Sequence, residues 1–261
     1  MIIIVETGSI NMAKLTIIIL TKHEEKNIKD VVKNAKQCTD DVLIIDSGST
    51  DGTVEVALNC GARTAYRPWD NDFAAQRNFG LVQTKAKWVL YLDADERMDD
   101  KLIDQVKKAV TSTSDKQYSF MRKTSAFGCT FGYGALAPDE VTRLFPHASV
   151  QWEHHVHERP VCTLPKEKLT GCLRHYTYAS WQQWLDKLSL YTTIWAKDSY
   201  EQGKRIMLWK IVLRVNFSFV KAYILSSGFL DGVGGLLASW QHMFYTMIKY
   251  VKLYEIQRKH K

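Results

Sequence analysis

Short apolar runs alternate with helix-type segments through the first half of the chain, and this alternation restricts the fold more than any other feature. The run Leu15–Leu20 is almost continuously apolar, as expected of a strand that is covered on both faces. In the segment after it, Ile28, Val31, Val32 and Ala35 recur at helical spacing on one face. Further strand-type runs lie at 42–45, 62–66 and 88–92. Strands that alternate with helices predict an α/β fold with a mostly parallel sheet flanked by helices.

Local signals place the boundaries of several elements. Thr21–Glu24 resembles a capping box at the start of the first helix. Residues 49–51 offer N-cap side chains for a second helix, which Gly61 is expected to end. We also predict a helix over 73–82, a helix with the buried face Leu102, Ile103, Val106 and Val110, and a strand over 117–122.

Polar residues follow successive predicted strands at the point where each strand ends. These residues are Thr21, 46–51, Arg67 and 93–95. In an open α/β sheet the ligand crevice lies at the carboxyl ends of the strands, so we expect them to line one site. No GxGxxG motif follows a strand and no GxxxxGK[ST] motif occurs, so dinucleotide-dependent oxidoreductases and P-loop enzymes lose their main support.

Asp93 and Asp95 are the most specific pair in this set. In extended backbone, residues at i and i+2 project to the same side. Mg²⁺ and Mn²⁺ accept one or two carboxylates and complete their coordination with water and phosphate oxygens. The pair is therefore a candidate site for a metal ion and a diphosphate, although acidic residues after a strand also form turns or carry charge at a helix N-terminus.

Composition sets the broad class of protein. With 261 residues, 46% of them hydrophobic, the chain can bury a sizeable core. Its five cysteines form no CxxC pair, which indicates neither a disulfide framework nor a zinc site and favours a reducing compartment. The N-terminus lacks the basic region of a signal peptide, so we expect a cytosolic protein in which residues 1–11 are an extension without a role in the fold.

The net charge of +7 is concentrated at the C-terminus. Residues 201–261 contain ten basic and three acidic residues, so the rest of the chain is neutral in sum. Lys210, Arg214 and Lys221 fall on one stripe of an otherwise apolar helix. This pattern is compatible with attachment to an anionic membrane surface; a solvated helical face and packing of the helix against the catalytic domain are the alternatives. The apolar stretch 232–248 is marginal for a membrane span.

Three segments together resemble the N-terminal half of glycosyltransferase family 2. They are Leu15–Glu24, Leu43–Thr53 and Leu92–Arg97. Four further segments are similar to the branch that contains lipopolysaccharide inner-core β-1,4-glucosyltransferases: Pro138–Phe145, Val156–Glu158, His175–Tyr176 and Gly228–Gly232. The resemblance implies a nucleotide-sugar-binding fold of the GT-A type over residues 12–180, followed by a basic helical segment over 181–261.

The resemblance also implies roles for individual residues. Thr21, Glu24, Asp46 and Asp51 would surround the nucleoside of the donor. Asp93 would face the ribose and diphosphate, and Asp95, with Asp93, would hold Mg²⁺ or Mn²⁺. Gln76 and Arg77 match a family segment near the donor, and Arg77 could offer charge to a phosphate or a sugar hydroxyl. Asp72, Ala74 and His23 depart from residues common in the family.

An inverting transfer needs a general base for the acceptor hydroxyl, usually a carboxylate. Asp139 is our first choice, because its motif lies where the family often places that base, and Glu158 is the rival. A turn residue after Pro138 is the alternative role for Asp139.

The histidine-rich segment 152–158 resembles a metal motif but lacks further ligands at zinc spacing. His157 is a candidate metal ligand at the donor site or a phosphate contact, and an ordinary loop histidine is an equal alternative. We interpret Glu96, Asp99 and Asp100 as charges at a helix N-terminus.

The resulting hypothesis is a metal-dependent hexosyltransferase on the cytosolic face of the membrane. The resemblance implies transfer of glucose from UDP-glucose to a heptose of the lipopolysaccharide core, with a lipid-linked saccharide as the acceptor. Polyprenyl phosphate or a capsule sugar are alternative acceptors. A basic nucleic-acid-binding protein is the rival from another class, but no RNP, KH or helix-turn-helix signature accompanies the basic segment, so we expect no nucleic-acid partner.

Overall fold

A computed structural model describes residues 14–153, 158–178 and 181–259 of the protein. Within these residues the chain forms two compact units. The first takes its residues from Met1–Met121 and Glu140–Leu173, and the second from Arg122–Asp139 and Arg174–Lys261. The boundaries expected from the sequence, after residues 11 and 180, remain predictions. Residues 1–11 and the histidines 154, 155 and 157 lie outside the described residues.

The order of elements is that of an α/β protein followed by helices. The strands are β1 (Leu15–Thr21), β2 (Val42–Asp46), β3 (Arg63–Tyr66), β4 (Trp88–Asp93), β5 (Glu96–Met98), β6 (Gln117–Ala126), β7 (Cys129–Thr130), β8 (Asp139–Pro146), β9 (Gln151–Glu153), β10 (Arg159–Val161) and β11 (Lys166–Tyr178). The α-helices are α1 (Glu25–Ala35), α2 (Thr53–Asn59), α3 (Phe73–Val82), α4 (Asp100–Ala109), α5 (Trp181–Glu201), α6 (Leu208–Val220) and α7 (Gly232–Lys259).

The main sheet has the strand order β3-β2-β1-β4-β8-β6-β11-β5, with β7 on β6, and β9 pairs with β10 separately. The first four strands of this order are parallel, and β8 joins β4 in the antiparallel direction. The α/β class and the parallel first half, both expected from the alternating pattern, are confirmed.

Alternate residues of the central strands enter two different cores in the first unit. Ile17 and Ile19 pack in a core with the buried face of α1, whereas Ile18 packs on the opposite face of the sheet. The opposite face is covered by α3, where a Cβ added to Gly80 would lie 2.7 Å from Ile18 Cγ2. Because both faces of the sheet are buried, the sequences of the strands are continuous apolar runs.

The helix faces predicted from spacing are largely confirmed. Ile28, Val31, Val32 and Ala35 are the buried residues of α1. In α4 the fourth buried residue is Ala109 rather than Val110, which caps the helix and is only partly buried. The helix ends there, and its last full turn therefore presents Ala109 to the core.

Two predicted helix starts are wrong in detail. Thr21 belongs to β1, and α1 begins at Glu25 without a side-chain cap. No capping box forms, because the Glu24 N–H donates instead to Thr53 Oγ1 of another segment, at 2.8 Å. The second helix begins at Thr53, after Gly52. Gly61 does follow α2 with a left-handed φ of +74°, as expected of a residue that ends a helix.

The second unit is built mainly from α5, α6 and α7, which confirms a helical C-terminal segment. Helix α7 packs against both α5 and α6, and Ala196, Ile206, Ile211 and Leu253 form a buried core among them. The carboxylate of Asp231 accepts the backbone N–H groups of Gly132 and Tyr133, which ties the loop before Asp139 to the turn before α7. None of the helices in the described ranges has the length and apolar content needed to cross a membrane.

Candidate active site

Strand register brings three of the predicted site residues to one edge of the first unit. Thr21 lies opposite Asp46 where β1 pairs with β2, and Leu20 lies opposite Asp93 where β1 pairs with β4. Neighbouring parallel strands are about 4.8 Å apart. Residues separated by more than 70 positions in the chain therefore lie on three adjacent strands.

Asp46 shapes the loop that follows β2. Its Oδ2 accepts the backbone N–H groups of Gly48 at 2.9 Å and Ser49 at 3.0 Å, and its Oδ1 accepts the Ser49 hydroxyl. Gly48 has a φ of +99°, a conformation that favours glycine. Asp46 is 5% exposed, so its carboxylate holds this loop in one conformation at the sheet edge.

Glu24 and Asp51 connect the loops after β1 and β2. Asp51 Oδ1 accepts the Thr53 N–H at 3.2 Å, and Asp51 Oδ2 accepts the Glu25 N–H at 3.4 Å. Glu24 Oε2 accepts the side-chain amide of Asn27 at 2.7 Å. The four residues assigned to the nucleoside thus lie at the ends of β1 and β2 and in the two loops that follow them, which are tied to each other.

Arg77 occupies the centre of a charged cluster behind this edge. It projects from α3, and its side chain is 2% exposed. Its Nη2 donates to Asp93 Oδ1 at 2.9 Å and to Glu158 Oε1 at 3.2 Å. The guanidinium also lies over the Trp152 ring, 4.6 Å from its centroid. The neighbouring carboxylates keep the pKa of Arg77 above its ordinary value in spite of burial, which lowers it.

Arg143 and Glu96 complete the cluster. The sequence motifs predict for neither of them a position beside Asp93. Arg143 Nη2 donates to Asp93 Oδ2 at 3.0 Å, so each carboxylate oxygen of Asp93 accepts a bond from a different arginine. Glu96 is fully buried, accepts the Asp93 N–H at 3.0 Å, and lies 3.8 Å from Arg143. The sequence signal for burial in this cluster is weak, since it consists of a charged residue next to apolar residues.

The interpretation of the acidic residues after β4 is therefore partly wrong. Glu96 lies in β5 and supports Asp93, so it is no helix N-terminal charge. Asp99 caps α4 by accepting the Leu102 N–H at 2.8 Å, and Asp100 lies in the first turn, as predicted for both. Burial distinguishes Glu96 from Asp99 and Asp100. A residue at a helix N-terminus needs only the local backbone, whereas Glu96 is enclosed with two arginines.

Gln76 and Asn78 fix the elements around Arg77. The side-chain amide of Gln76 donates to the backbone carbonyls of Arg67 and Pro68, and Gln76 is 1% exposed. Asn78 exchanges two hydrogen bonds with the backbone of Trp152. Gln76 therefore holds the loop between β3 and α3, while Asn78 links α3 to β9.

Asp95 is the remaining carboxylate of the motif. It is half-buried at the turn after β4, whereas both oxygens of Asp93 accept bonds from arginine. The third predicted ligand, His157, lies outside the described residues. Over the described ranges, no three His, Cys, Asp or Glu side chains are grouped as a metal site. Mg²⁺ that is held by one or two carboxylates completes its coordination with water and phosphate oxygens, and Asp95 stays a predicted ligand.

The two candidate bases have different surroundings. Asp139 is in the second unit at the start of β8, is 51% exposed, and accepts two bonds from Arg122, at 3.0 and 2.8 Å. Glu158 is in the first unit, is 19% exposed and is bonded to buried Arg77. Both carboxylates therefore have an arginine partner, and they differ in exposure and in the burial of that partner.

Comparison with known proteins gives one matching family. Residues 16–126 match the glycosyl transferase family 2 domain. This range contains β1–β4 and the strand-end edge with Thr21, Asp46, Asp93 and Asp95.

The chain is also similar to whole proteins over most of its length. It is 26% identical to an uncharacterized glycosyltransferase of Rickettsia prowazekii, over 95% of this chain and 89% of that protein. It is 26% identical to the lipopolysaccharide core biosynthesis glycosyltransferase LpsC of Rhizobium meliloti, over 92% of each chain. Among solved structures, glucosyl-3-phosphoglycerate synthase from Mycobacterium tuberculosis matches at 18% identity with a TM-score of 0.39, over 52% of this chain and 56% of that one.

Proposed function

The protein carries a glycosyl transferase family 2 domain over residues 16–126, and from this premise we propose that it is an inverting hexosyltransferase that uses a nucleotide-diphosphate sugar. The observation that carries the proposal is the shared edge of Thr21, Asp46 and Asp93 on adjacent parallel strands. Ligands of open α/β sheets bind at this edge.

In this proposal the loops after β1 and β2 bind the nucleoside. Thr21 and Asp46 end the two strands, Glu24 and Asp51 lie in the loops after them, and the hydrogen bonds of Glu24, Asp46 and Asp51 hold the backbone before a ligand arrives. A preformed loop loses less conformational entropy on binding. We assign Arg77 a positioning role, since it is enclosed with Asp93 and Glu158 and does not face solvent.

Mg²⁺ or Mn²⁺ would be held by Asp95, with Asp93 beside it and His157 as a further candidate. When bound, the ion acts as a Lewis acid that neutralises charge on the leaving diphosphate. Two arginines bond to Asp93, and the resemblance to the family supports Asp95 as the principal protein ligand.

The transfer itself is a single displacement at the anomeric carbon. The acceptor hydroxyl loses its proton to a carboxylate, its oxygen bonds to the anomeric carbon, and the bond from that carbon to the diphosphate oxygen breaks. We propose Asp139 as this carboxylate. Its exposure of 51%, against 19% for Glu158, supports the assignment, since a general base must reach the acceptor. Each carboxylate is bonded to an arginine, and Glu158 remains the alternative base.

The donor and acceptor of the proposal are UDP-glucose and a lipid-linked lipopolysaccharide core with a terminal heptose, at the inner face of the cytoplasmic membrane. The acceptor class is supported by the similarity to LpsC over 92% of each chain. A capsule sugar or polyprenyl phosphate would require the same donor chemistry with a different hydroxyl or phosphate acceptor.

A donor and acceptor panel tests the proposal. Purified protein is incubated with UDP-, GDP- and dTDP-linked hexoses, with Mg²⁺ or Mn²⁺, and with lipid-free core oligosaccharide. We expect nucleotide release that depends on both a UDP-hexose and the oligosaccharide, with inversion at the anomeric carbon seen by NMR. Turnover with polyprenyl phosphate alone would reassign the acceptor. Absence of nucleotide binding and turnover with every donor would overturn the proposal.

A further inference from the structure

Helix α6 exposes a broad apolar face to solvent. Five large apolar residues of this helix are each between 57% and 60% exposed: Leu208, Trp209, Val212, Leu213 and Phe217. In the turns that follow α6 along the chain, Ile224, Leu225, Phe229, Leu230 and Val233 are each at least 50% exposed. Soluble proteins rarely leave contiguous apolar surface of this extent uncovered, and where they do it marks an interaction site.

The helix is divided into three longitudinal arcs. At about 100° per residue, the exposed apolar residues span about half of the circumference, and the exposed Asn216 is the one polar residue of α6 within this arc. Ile211 and Ser218 form the buried side, with partly buried Val215 in the core of the second unit. Lys210, Arg214 and Lys221 lie between these two arcs. The basic residues therefore form one border of the apolar face.

Helix α7 adds positive charge next to this border. The Arg214 guanidinium donates to Tyr250 Oη at 2.9 Å and lies over its ring. Lys249 lies 5.4 Å from the centroid of the same ring. Burial and then the charge of Arg214 lower the pKa of Lys249, while burial and then the charges of Lys249 and Lys221 lower the pKa of His242. The cations of the two helices thus lie close enough to repel one another.

This positive charge lacks acidic compensation nearby. Residues 202–230 contain five Lys or Arg and no Asp or Glu. In the part of the chain that the structure describes, no carboxylate forms an ion pair with Lys210, Arg214, Lys221 or Lys249. A cluster of cations with no carboxylate partner favours an anionic ligand over a neutral one.

We propose that the exposed face of α6, bordered by Lys210, Arg214 and Lys221, lies in the surface of an anionic phospholipid bilayer. An apolar face of this kind inserts at the boundary between headgroups and acyl chains, and basic residues at its edge contact lipid phosphates. A second copy of this chain would bring further cations and no carboxylate to this face, so charge favours the bilayer. The inference deepens the proposed function by identifying the surface that would bring the enzyme to a lipid-linked acceptor.

Vesicle co-sedimentation without donor or acceptor tests the inference separately from transfer. We expect the full-length protein to bind phosphatidylcholine vesicles that contain phosphatidylglycerol, and to bind pure phosphatidylcholine much more weakly. The variant Leu213→Glu/Phe217→Glu should lose binding. The variant Lys210→Gln/Lys221→Gln should bind the anionic vesicles roughly 25-fold more weakly, since each basic residue near the surface contributes roughly fivefold.

The matched control is Leu58→Glu/Val82→Glu, which changes two apolar residues of the first unit that are 52% and 73% exposed. It should bind as the unsubstituted protein does. Circular dichroism checks the fold of each variant, and Leu213→Ala/Phe217→Ala replaces the acidic variant if that one does not fold. Absence of binding to anionic vesicles, or equal binding by the α6 variant, overturns the inference. The inference is also overturned if the protein does not bind vesicles but forms a dimer, and only the α6 variant is monomeric. The exposed face of α6 would then be a dimer interface.

The outcome is distinguishable from failure of the proposed function. Turnover with lipid-free oligosaccharide requires no bilayer, so a protein that binds vesicles but transfers no sugar would refute the enzyme assignment alone. A protein that transfers sugar but does not bind vesicles would refute only the inference that α6 attaches to a membrane.

Discussion

Arg77 and Asp93 form an ion pair of 2.9 Å in which the arginine side chain is 2% exposed. The pair links α3 to the end of β4, and the same guanidinium reaches Glu158. Removing one partner of a buried ion pair leaves an uncompensated charge in a poorly solvated environment. The cluster therefore contributes to the fold and to the position of Asp93.

Arg77→Met should lower the free energy of unfolding by about 3–5 kcal/mol, because Glu158 and one oxygen of Asp93 lose their buried cation while Arg143 still bonds the other oxygen of Asp93. Urea denaturation followed by circular dichroism measures the change. Lys116→Met is the control. Lys116 and its partner Glu167 are 37% and 49% exposed, and such exposed ion pairs stabilise a protein by about 1 kcal/mol or less. Equal losses for the two variants would contradict a buried role for Arg77.

Asp95→Ala should reduce turnover by at least about 100-fold, because the proposed metal ion loses its principal protein ligand and the leaving diphosphate loses charge stabilisation. Nucleotide release over a range of Mn²⁺ concentrations measures the effect, and calorimetry checks that the protein remains folded. Asp100→Asn changes an exposed carboxylate five residues away and should leave turnover near the original rate. Near-full activity of Asp95→Ala would remove Asp95 from the metal site.

Asp139→Asn should reduce the chemical step by about 10²–10⁴-fold and leave UDP binding unchanged, because an amide cannot accept the acceptor proton. Single-turnover kinetics separates the chemical step from binding. Glu140→Gln is the neighbouring control, with a carboxylate bonded to Lys166 and Lys168. If Glu158→Gln reduces the chemical step and Asp139→Asn does not, the base is Glu158.

Cys38 should react slowly with thiol reagents. Burial raises the pKa of its thiol to about 11, so only roughly one thiol in a thousand is ionised at pH 8, and the thiolate is the reactive form. Cys129 is exposed. Mass spectrometry after brief treatment with iodoacetamide should find Cys129 modified well before Cys38. Raising the pH from 8 to 10 should accelerate the modification of Cys38 in the folded protein, and equal rates at pH 8 would contradict its burial.

Gly171→Ala should destabilise the first unit more than Gly61→Ala. Both glycines have left-handed backbone, with φ of +107° and +74°, so each substitution carries conformational strain of about 1–2 kcal/mol. At Gly171 the new Cβ would also lie 2.4 Å from the backbone nitrogen of Leu102, whereas at Gly61 its nearest neighbour is the flexible end of Lys36, at 2.9 Å. We expect the midpoint of urea denaturation to fall further for Gly171→Ala, and equal midpoints would contradict the close approach.

The parallel half of the fold is predictable from the sequence because its signals are local and repeated. Apolar runs such as Leu15–Leu20 and helical spacing such as Ile28, Val31 and Val32 each specify an element, and their alternation specifies parallel pairing. The edge that carries Thr21, Asp46 and Asp93 follows from that pairing. The helix starts were less predictable, since Glu24 bonds to Thr53 of a distant segment instead of to its own helix.

The charged cluster could not be predicted in the same way. Glu96 and Arg143 are 47 positions apart, and their burial with Asp93 depends on the packing of β5 and β8 near β4. An acidic residue next to a helix start has the same local pattern whether it caps the helix, as Asp99 does, or is enclosed with arginines, as Glu96 is. Only tertiary structure distinguishes the two.

The position of β1 between β2 and β4 has a consequence for how the candidate site is assembled. Side chains alternate along a strand, so a slip of one residue between β1 and β2 would exchange the two cores and move Asp46 away from Thr21. The apolar residues that fix register inside the sheet thereby also set the spacing of the carboxylates at its end. A core substitution such as Ile18→Ala can therefore alter the geometry of the candidate site at a distance, without replacing any of its carboxylates.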